Sequence, residues 1–445
     1  MRRNVEHESA RAHGRHPACP AFGACGACQT LDVPYEQQLI AKQRAIGDLF
    51  PDAARADAIR PILGMEDPTH YRNKVVAPYV AAPARRGVQA SRGAEVRERD
   101  RRCARGAARR REQVPCKGQK GGGSRRGTVL TGMYAKGTHE VIPTEGCVLE
   151  NVEAKAATLA VRDLMEKWSI PPYDEDAHTG FIRHVVARAG RTGEVLVTIV
   201  TNGDAFPSSK SFCRELVRRV PSVVTVVQSV NERQTNVILG ERERTLYGPG
   251  FILDELCGLR FRISSGSFYQ VNAVQAEVLY EAAIALAGAG PEDVVVDAYC
   301  GTGTIGLVAA KRGAGRVIGV EAVESAVADA RQNARHNGVE AAEFVCADAT
   351  GFMQDMARDD RLAVRSGKLV LMMDPPRAGA SPEFLDAACA LRPDRIVYIS
   401  CDPRTQARDV ARLVEGGYRV AVVQPVDMFP HTDHIENIIL LEQMF

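Results

Sequence analysis

The sequence predicts an α/β protein with a Rossmann-like C-terminal domain, and three observations lead to this prediction. From residue 291 onward, apolar segments of strand length alternate with helix-like segments. The first of these strands runs into a glycine-rich turn, and acidic residues end several of the others. This pattern is typical of a parallel sheet covered by helices on both faces. The expected strands are 294–299, 316–321, 343–346, 369–374, 395–400 and 419–425.

The composition indicates a soluble enzyme with more than one domain. A chain of 445 residues exceeds one ordinary hydrophobic core, so two or three domains are expected. An apolar fraction of 45% and a charged fraction of 25% are typical of globular proteins. The sequence shows no long apolar run and no amino-terminal signal pattern, which predicts a cytoplasmic protein without a membrane partner. Nothing in the sequence implies a protein partner.

The predicted organisation has three parts, with boundaries near residues 150 and 265. Residues 1–150 form a Cys-rich N-terminal region with an amphipathic helix at 35–42. Residues 151–265 form a small α+β central domain, and residues 266–445 form the C-terminal domain. The central domain is predicted from alternating strands and helices. Its expected helices are 151–168 and 208–219, and its expected strands are 181–189, 194–201 and 223–229.

A strongly basic segment at about 82–126 interrupts the N-terminal region. It contains fifteen Lys and Arg against four Asp and Glu, in a chain of net charge +2. The strand-like stretches 72–79 and 129–134 flank it, so we interpret it as an insertion in a hairpin. A segment so poor in large apolar residues contributes little to a core. Either it is a solvated loop, or it neutralises RNA phosphates.

The glycine-rich turn predicts a nucleotide-type cofactor site at the end of the first strand. Asp297 ends this strand, and Gly301 and Gly303 let the backbone approach a ligand closely. Such a turn also fits a nicotinamide cofactor. Asp297 offers a carboxylate to a cationic amino-acid group, Glu321 ends the second strand where it can bind ribose hydroxyls, and Asp374 ends the fourth. These acidic residues favour S-adenosylmethionine.

Asp348 follows the third strand and has two interpretations that the sequence leaves open. Its carboxylate can bind the adenine of the cofactor, or it can cap the next helix.

Cys401 and Glu436 form a candidate catalytic pair for methylation of a pyrimidine. Cys401 lies at the end of an apolar strand, and Glu436 follows shortly downstream. C5 of uracil is a weak carbon nucleophile, but a thiolate that adds to C6 turns C5 into an enolate carbon. A base must then remove the C5 proton so that the thiolate can leave. Cys401 is the expected nucleophile and Glu436 the expected base.

A cluster of three cysteines near the N-terminus predicts a metal centre. Cys19, Cys25 and Cys28 lie on a short loop, and a C-x-x-C step lets two thiolates reach one metal. The chain has twelve cysteines and no secretory context, which disfavours a disulfide framework. For the fourth ligand, Cys147 follows a strand-like stretch and is preferred to Cys103 and Cys116. The spacing alone fits a [4Fe–4S] cluster and a structural zinc equally.

Taken together, these features resemble the RNA uracil-C5-methyltransferase family over nearly the whole chain. The most specific segments are FYQVN at 268–272, the loop 297–306, DPPRAG at 374–379, SCDP at 400–403 and the run 429–436. The resemblance implies a class I methyltransferase domain that binds S-adenosylmethionine through Gln270, Tyr299, Glu321 and Asp374. It also implies that Cys401 is the nucleophile and Glu436 the proton-abstracting base.

The resemblance also bears on the metal and on the RNA substrate. Cys19, Cys25, Cys28 and Cys147 match the [4Fe–4S] ligands of the family's ribosomal RNA enzymes, which favours iron–sulfur over zinc. We therefore expect methylation of a uridine in ribosomal RNA, of the large subunit (23S). The alternatives are a tRNA T-loop uridine, a non-catalytic RNA-binding or folding factor, and a nicotinamide oxidoreductase. Two features depart from the family pattern: the residues before Cys19 are too few for an RNA-binding barrel, and the basic insertion is long.

An extruded uridine needs an aromatic surface to lie against. Phe268 and Phe429 are candidates to flank such a base, although both residues equally fit a role in the hydrophobic core.

Overall fold

The computed structural model describes residues 19–82, 129–358 and 367–444. The basic segment at 82–126 therefore lies almost wholly outside the described residues, and so do Cys103 and Cys116. Within the described part of the chain, no helix is long and apolar enough to span a membrane.

The described residues form ten helices and sixteen strands. The helices are α1 (Tyr35–Leu49), α2 (Pro51–Arg55), α3 (Val152–Trp168), α4 (Ser209–Arg219), α5 (Ala273–Ala287), α6 (Thr304–Lys311), α7 (Glu324–His336), α8 (Ala349–Ala357), α9 (Pro382–Leu391) and α10 (Pro403–Glu415). The strands are β1 (Lys74–Ala81), β2 (Val129–Tyr134), β3 (Val141–Pro143), β4 (Ile182–Ala189), β5 (Val195–Thr201), β6 (Val223–Val230), β7 (Arg242–Tyr247), β8 (Ile252–Leu256), β9 (Leu259–Ile263), β10 (Val294–Ala298), β11 (Arg316–Glu321), β12 (Ala342–Cys346), β13 (Leu369–Met373), β14 (Arg395–Ser400), β15 (Tyr418–Val426) and β16 (Glu436–Gln443).

The first sheet has seven strands in the order β3-β2-β1-β4-β5-β6-β7. Strands β1 and β2 are antiparallel, with Tyr79 opposite Thr131, so the basic insertion does interrupt a hairpin. The apolar faces of α3 and α4 pack on one side of this sheet, around Val161, Leu164 and Phe212. Strand β1 also pairs with β4, so the sheet joins strands from both sides of the predicted boundary at residue 150. The two domain boundaries stay predictions of the sequence.

The second sheet has the order β12-β11-β10-β13-β14-β16-β15. The five neighbouring strands β12, β11, β10, β13 and β14 are parallel, as expected. Hydrophobic clusters cover both faces of the sheet. The expectation of a parallel sheet is wrong at one edge, because β16 runs antiparallel to both β14 and β15. The sequence interpretation missed β16, which lies between β14 and β15, whereas β15 runs in the same direction as β14. The result is the α/β architecture of a class I methyltransferase with an antiparallel edge.

The N-terminal helix packs on the C-terminal domain rather than on the first sheet. Ile46 and Phe50 are buried in the hydrophobic cluster on one face of the second sheet. On the same helix, Lys42 forms an ion pair of 2.6 Å with Asp427, and both side chains are buried. This contact brings the cysteine-containing loop that precedes α1 next to the segment between β15 and β16.

Candidate active site

The glycine-rich turn after β10 has a backbone that only certain residues adopt. Tyr299, Gly301 and Gly303 all have positive φ, at 64°, 54° and 80°. A Cβ on Gly303 would lie 2.7 Å from the ring of Phe344, so a side chain there would clash as well as strain the backbone. Helix α6 begins at the next residue, and its N-terminus faces the turn. The turn thus has the geometry that the glycine spacing predicts.

Two carboxylates hold the turn in place. Asp297 is almost fully buried, and its Oδ2 accepts a hydrogen bond of 2.8 Å from the Gly306 amide. Glu321 accepts hydrogen bonds from the amides of Gly301 (3.1 Å) and Val323 (2.9 Å). Asp297 therefore lies behind the turn, whereas Glu321 lies beside it.

A cavity of about 550 Å³ opens in front of the turn and contains the predicted catalytic pair. Cys401 and Glu436 both line it, together with Gln270, Tyr299 and Asp374. The register of the antiparallel edge explains why the pair meets. Ser400 at the end of β14 lies opposite Asn437 at the start of β16, so the residues next to them, Cys401 and Glu436, project from the same end of the sheet.

Two carboxyl groups that line this cavity, and Asp297 behind the glycine-rich turn, have raised pKa values. Burial, and then the charge of the nearby Asp374, raise the pKa of Glu436 to about 8, while Arg377 opposes the shift. Burial alone raises the pKa of Asp374 to about 7. Burial and then Asp374 and Glu321 raise the pKa of Asp297 to about 7, against the Gly306 hydrogen bond. Such a group of enclosed carboxyls is electrostatically suited to a cationic ligand.

The thiol of Cys401 is also perturbed. Burial, and then the charges of Glu436 and Asp374, raise its pKa to about 11, while Arg377 lowers it. The free protein therefore holds Cys401 mainly as a thiol at neutral pH. A cation that neutralises the two carboxylates would favour the thiolate.

A second cavity of about 750 Å³ adjoins the first and shares Phe268, Tyr299, Gly301 and Asp374 with it. Glu321 and Val323 line its far side. The two cavities form a continuous cleft across the carboxyl ends of the parallel strands, where α/β folds bind nucleotide cofactors. Glu321 thus lies where a ribose would be expected, at the end of β11, which is three strands from the β14 that precedes Cys401.

Asp348 is placed as a helix cap. Its Oδ1 accepts a hydrogen bond of 2.9 Å from Gly351 at the start of α8. It is not among the residues that line the two cavities. Its predicted contact with adenine stays a prediction.

Three residues of the cavity were not assigned a role from the sequence. Arg72 precedes β1, Arg377 follows β13, and His434 precedes β16, yet all three line the cavity with Cys401. Arg377 lies 2.9 Å from Nδ1 of His434. The Nε of Arg72 is buried and has no hydrogen-bond partner within the described residues. Because these residues are far apart in sequence, the sequence does not show that they lie close together. Arg377 could have been found, since it lies within the DPPRAG segment that resembles the family.

The two candidate aromatic residues lie at the same cavity but differ in exposure. Phe268 is 76% exposed at the cavity mouth. Phe429 is partly buried and packs against hydrophobic core residues, with its ring edge-on to His434. Phe268 is therefore free to contact a base, whereas Phe429 has both a core and a cavity position.

The four candidate metal-binding cysteines lie close together. Cys19 and Cys25 are buried in one small hydrophobic cluster, and Cys28 contacts both this cluster and a second one that includes Cys147. Burial, and then the neighbouring Cys147 and Cys25, raise the pKa of Cys28 to about 12. All four are free thiols. Within the described residues, no group of three or more His, Cys, Asp or Glu side chains is arranged to hold a metal ion.

Comparison with known proteins agrees with this fold and site. A family model described as tRNA (uracil-5-)-methyltransferase matches residues 255–444. An RNA methyltransferase of Halalkalibacterium halodurans is 36% identical over 427 residues, which are 95% of this chain and 82% of the relative. One from Listeria monocytogenes is 35% identical over 436 residues, 98% of this chain and 85% of the relative.

A solved structure shows the same fold over most of the chain. It is the Pyrococcus abyssi tRNA (uracil-54, C5)-methyltransferase in complex with S-adenosyl-L-homocysteine. The TM-score is 0.68 at 23% identity, covering 94% of this chain and 86% of that one.

The fold and the cleft define an S-adenosylmethionine-dependent methyltransferase. The chain belongs to the RNA uracil-C5-methyltransferase family, and the protein is an RNA methyltransferase. The predicted family is confirmed.

Proposed function

We propose that this protein transfers the methyl group of S-adenosylmethionine to C5 of a uridine in ribosomal RNA, through a covalent adduct between Cys401 and C6. The observation that carries the proposal is the shared cavity of Cys401 and Glu436, next to the glycine turn and Asp374. A thiol and an enclosed carboxyl at one site are the two groups that C5 methylation requires.

In this mechanism Cys401 forms the first bond and Glu436 breaks the last one. The thiolate of Cys401 adds to C6, and the electron pair moves to C5 and O4 as an enolate. C5 then attacks the methyl carbon of S-adenosylmethionine. The bond from this carbon to sulfur breaks, and S-adenosylhomocysteine leaves as a neutral thioether. Glu436 removes the proton from C5, the C5–C6 double bond forms again, and the thiolate leaves. Burial raises the pKa of Glu436, which makes the carboxylate a stronger base for this step.

Gln270, Tyr299, Glu321 and Asp374 are the proposed contacts of S-adenosylmethionine, with the backbone of Gly301 and Gly303. All four side chains line the cleft. Asp297 and Asp348 line neither cavity, and their hydrogen bonds favour indirect roles, as a support of the turn and as a helix cap.

The raised carboxyl pKa values predict a pH-dependent affinity for S-adenosylmethionine. Asp374 and Asp297 have pKa values of about 7 in the free protein, so they are mostly protonated at pH 6. A sulfonium cation stabilises their ionised forms, so binding should release protons. The affinity should increase between pH 6 and 8, by up to about tenfold per pH unit for each carboxyl that ionises. Calorimetry in two buffers of different ionisation enthalpy measures both the affinity and the number of protons released.

The matched control for this prediction is S-adenosylhomocysteine, which lacks the sulfonium charge. Its affinity should depend less on pH, and Asp374→Asn should make the dependence for S-adenosylmethionine shallower. Equal pH dependence for the two ligands would contradict the electrostatic explanation.

The choice of ribosomal RNA depends on the four cysteines that resemble those of the ribosomal RNA enzymes. The test is incubation of unmodified 23S ribosomal RNA and unmodified tRNA transcripts with labelled S-adenosylmethionine. We expect label as 5-methyluridine in ribosomal RNA. Mapping the modified position then identifies the uridine. Label in neither RNA would contradict the proposed activity and favour a non-catalytic RNA-binding role.

A second candidate substrate is tRNA. The solved structure with the same fold is a tRNA (uracil-54, C5)-methyltransferase, and the matching family model also carries a tRNA description. The two-substrate assay separates this candidate directly, because label confined to tRNA would replace ribosomal RNA as the substrate.

We further propose that Cys19, Cys25, Cys28 and Cys147 hold a [4Fe–4S] cluster. Four neighbouring thiols are a suitable donor set for it. The cluster would stiffen the loop before α1. Anaerobically purified protein should be brown with about four irons per chain. Stoichiometric zinc without visible absorption would exclude iron, and full colour in Cys147→Ser would exclude Cys147 as a ligand.

A further inference from the structure

The segment that precedes Glu436 is held in place by the N-terminal part of the chain. Residues 427–431 connect β15 to the stretch that ends at Glu436. Helix α1 contacts this segment through Tyr35, Gln38 and Lys42. Their spacing of three and four residues places them on one face of the helix.

The three side chains contact successive parts of the segment. The hydroxyl of Tyr35 donates to Asp427 Oδ2 at 2.8 Å. Lys42 donates to Asp427 Oδ1 at 2.6 Å and to the Phe429 carbonyl at 3.3 Å. Helix α1 thus fixes the start of the segment by charge and hydrogen bonds.

Gln38 contacts the turn itself. Its Oε1 accepts a hydrogen bond of 3.0 Å from the His431 amide, and its Nε2 lies 3.0 Å from Nδ1 of that residue. His431 has a φ of 65°, which is unfavourable for most residues and requires support from its surroundings. Gln38 is only 2% exposed, so water does not compete for these contacts.

The same glutamine ties the cysteine loop to the turn. Its Nε2 donates to the carbonyls of Thr30 (2.9 Å) and Val33 (2.8 Å). The amides of Gln29 and Thr30, directly after Cys28, donate to the His431 carbonyl at 3.0 and 3.2 Å. The cysteine loop, Gln38 and His431 therefore form one hydrogen-bonded unit, five residues before Glu436.

We infer that Gln38 is a positioning residue that holds Glu436 in place for proton abstraction, through the strained turn at His431. The inference rests on the proposed role of Glu436 as the base. Adduct formation depends on Cys401, which follows β14. The turn at His431 leads into β16 and is not part of β14. Loss of Gln38 should therefore slow the release of the adduct more than its formation, because the turn leads into the strand that carries Glu436 and not into the strand that precedes Cys401.

The test compares Gln38→Met, which nearly preserves volume, with Gln228→Met as the matched control. Gln228 is also a fully buried glutamine, and its Nε2 donates to Thr201 Oγ1 at 2.9 Å and to the Asp204 carbonyl at 3.1 Å. It lies in the first sheet and lines neither cavity. Both substitutions remove a buried hydrogen-bonding group, so both should lower the thermal unfolding temperature.

The probe is a mixture of unmodified 23S ribosomal RNA and tRNA transcripts with S-adenosylmethionine, assayed well below the unfolding temperature. Gln38→Met should lower turnover by about tenfold to a hundredfold, as a small misplacement of a catalytic group does. It should also raise the fraction of protein trapped as a denaturant-stable RNA adduct. Gln228→Met should leave turnover and the trapped fraction at wild-type values.

Equal trapped fractions in the Gln38 and Gln228 variants would overturn the inference, and so would a Gln38 variant that loses adduct formation along with turnover. If Gln38→Met does not fold, Gln38→Glu and Gln228→Glu make the same comparison, with a trapped fraction expected only in the former. Glu436→Gln in the same experiment separates the two hypotheses. If it fails to trap RNA, the assignment of the base is wrong; if it traps RNA and the Gln38 variants do not, only the positioning role is wrong.

Discussion

Glu436→Gln should accumulate a covalent protein–RNA adduct that survives denaturing gels. Glutamine has nearly the shape of glutamate but cannot accept the C5 proton, so the methylated adduct should form and then persist. Removing a general base typically costs about 10²- to 10⁴-fold in rate, and we expect turnover to fall within that range. The measurement is the fraction of protein in the slowly migrating band, with labelled RNA and S-adenosylmethionine.

The control for this prediction is the nucleophile. Cys401→Ala removes the sulfur that bonds to C6, so it should form no adduct, either alone or combined with Glu436→Gln. An adduct that persists in Cys401→Ala would show that another residue is the nucleophile. Binding of S-adenosylmethionine should survive in both variants, which distinguishes lost chemistry from lost folding.

The sequence predicted the elements of the C-terminal domain well because its signals are local. Each parallel strand is a short apolar run, and the turn after β10 needs glycine at Gly303 for steric reasons that leave a mark in the sequence. The antiparallel edge was missed because a strand's direction depends on its partner. The apolar run at 438–441 is typical of a strand, but nothing within it shows that this strand lies between β14 and β15.

The candidate site shows the same division between local and long-range information. Cys401 and Glu436 were predicted from their chemistry, and the structure places both at one cavity. Arg72 was missed because it lies far from Cys401 in sequence. Its neighbour Asn73 donates hydrogen bonds to the carbonyls of Val271 and Gln270, next to the cavity. The role of α1 was missed for the same reason: the 35–42 pattern predicts an amphipathic helix, but it does not identify the surface that the helix contacts.

The buried ion pair between Lys42 and Asp427 predicts a large stability effect. The side chains are 7% and 0% exposed, and Tyr35 completes the hydrogen bonds of the carboxylate. Asp427→Asn leaves the ammonium group of Lys42 buried without a counter-charge. Breaking a buried pair in this way typically costs about 3 to 5 kcal/mol. Urea unfolding at neutral pH, compared with the wild type, measures the loss.

The pH dependence of this loss follows from the lysine. Burial lowers the pKa of Lys42, and Asp427 is the main group that opposes this shift. Without Asp427 the folded-state pKa of Lys42 should fall further below the unfolded value of about 10.4, so folding disfavours the protonated form more strongly. The destabilisation should be fully present below the folded pKa and should shrink as the pH rises toward the unfolded pKa.

Two control variants separate charge from packing in this prediction. Lys42→Met combined with Asp427→Asn removes the uncompensated charge and should recover part of the lost stability. Asp52→Asn breaks the exposed pair between Asp52 and Arg55 and should have a much smaller effect, because water already solvates both groups. If Asp427→Asn is no more destabilising than Asp52→Asn at neutral pH, the ion pair does not anchor α1. The attachment of α1 would then depend on the burial of Ile46 and Phe50 instead.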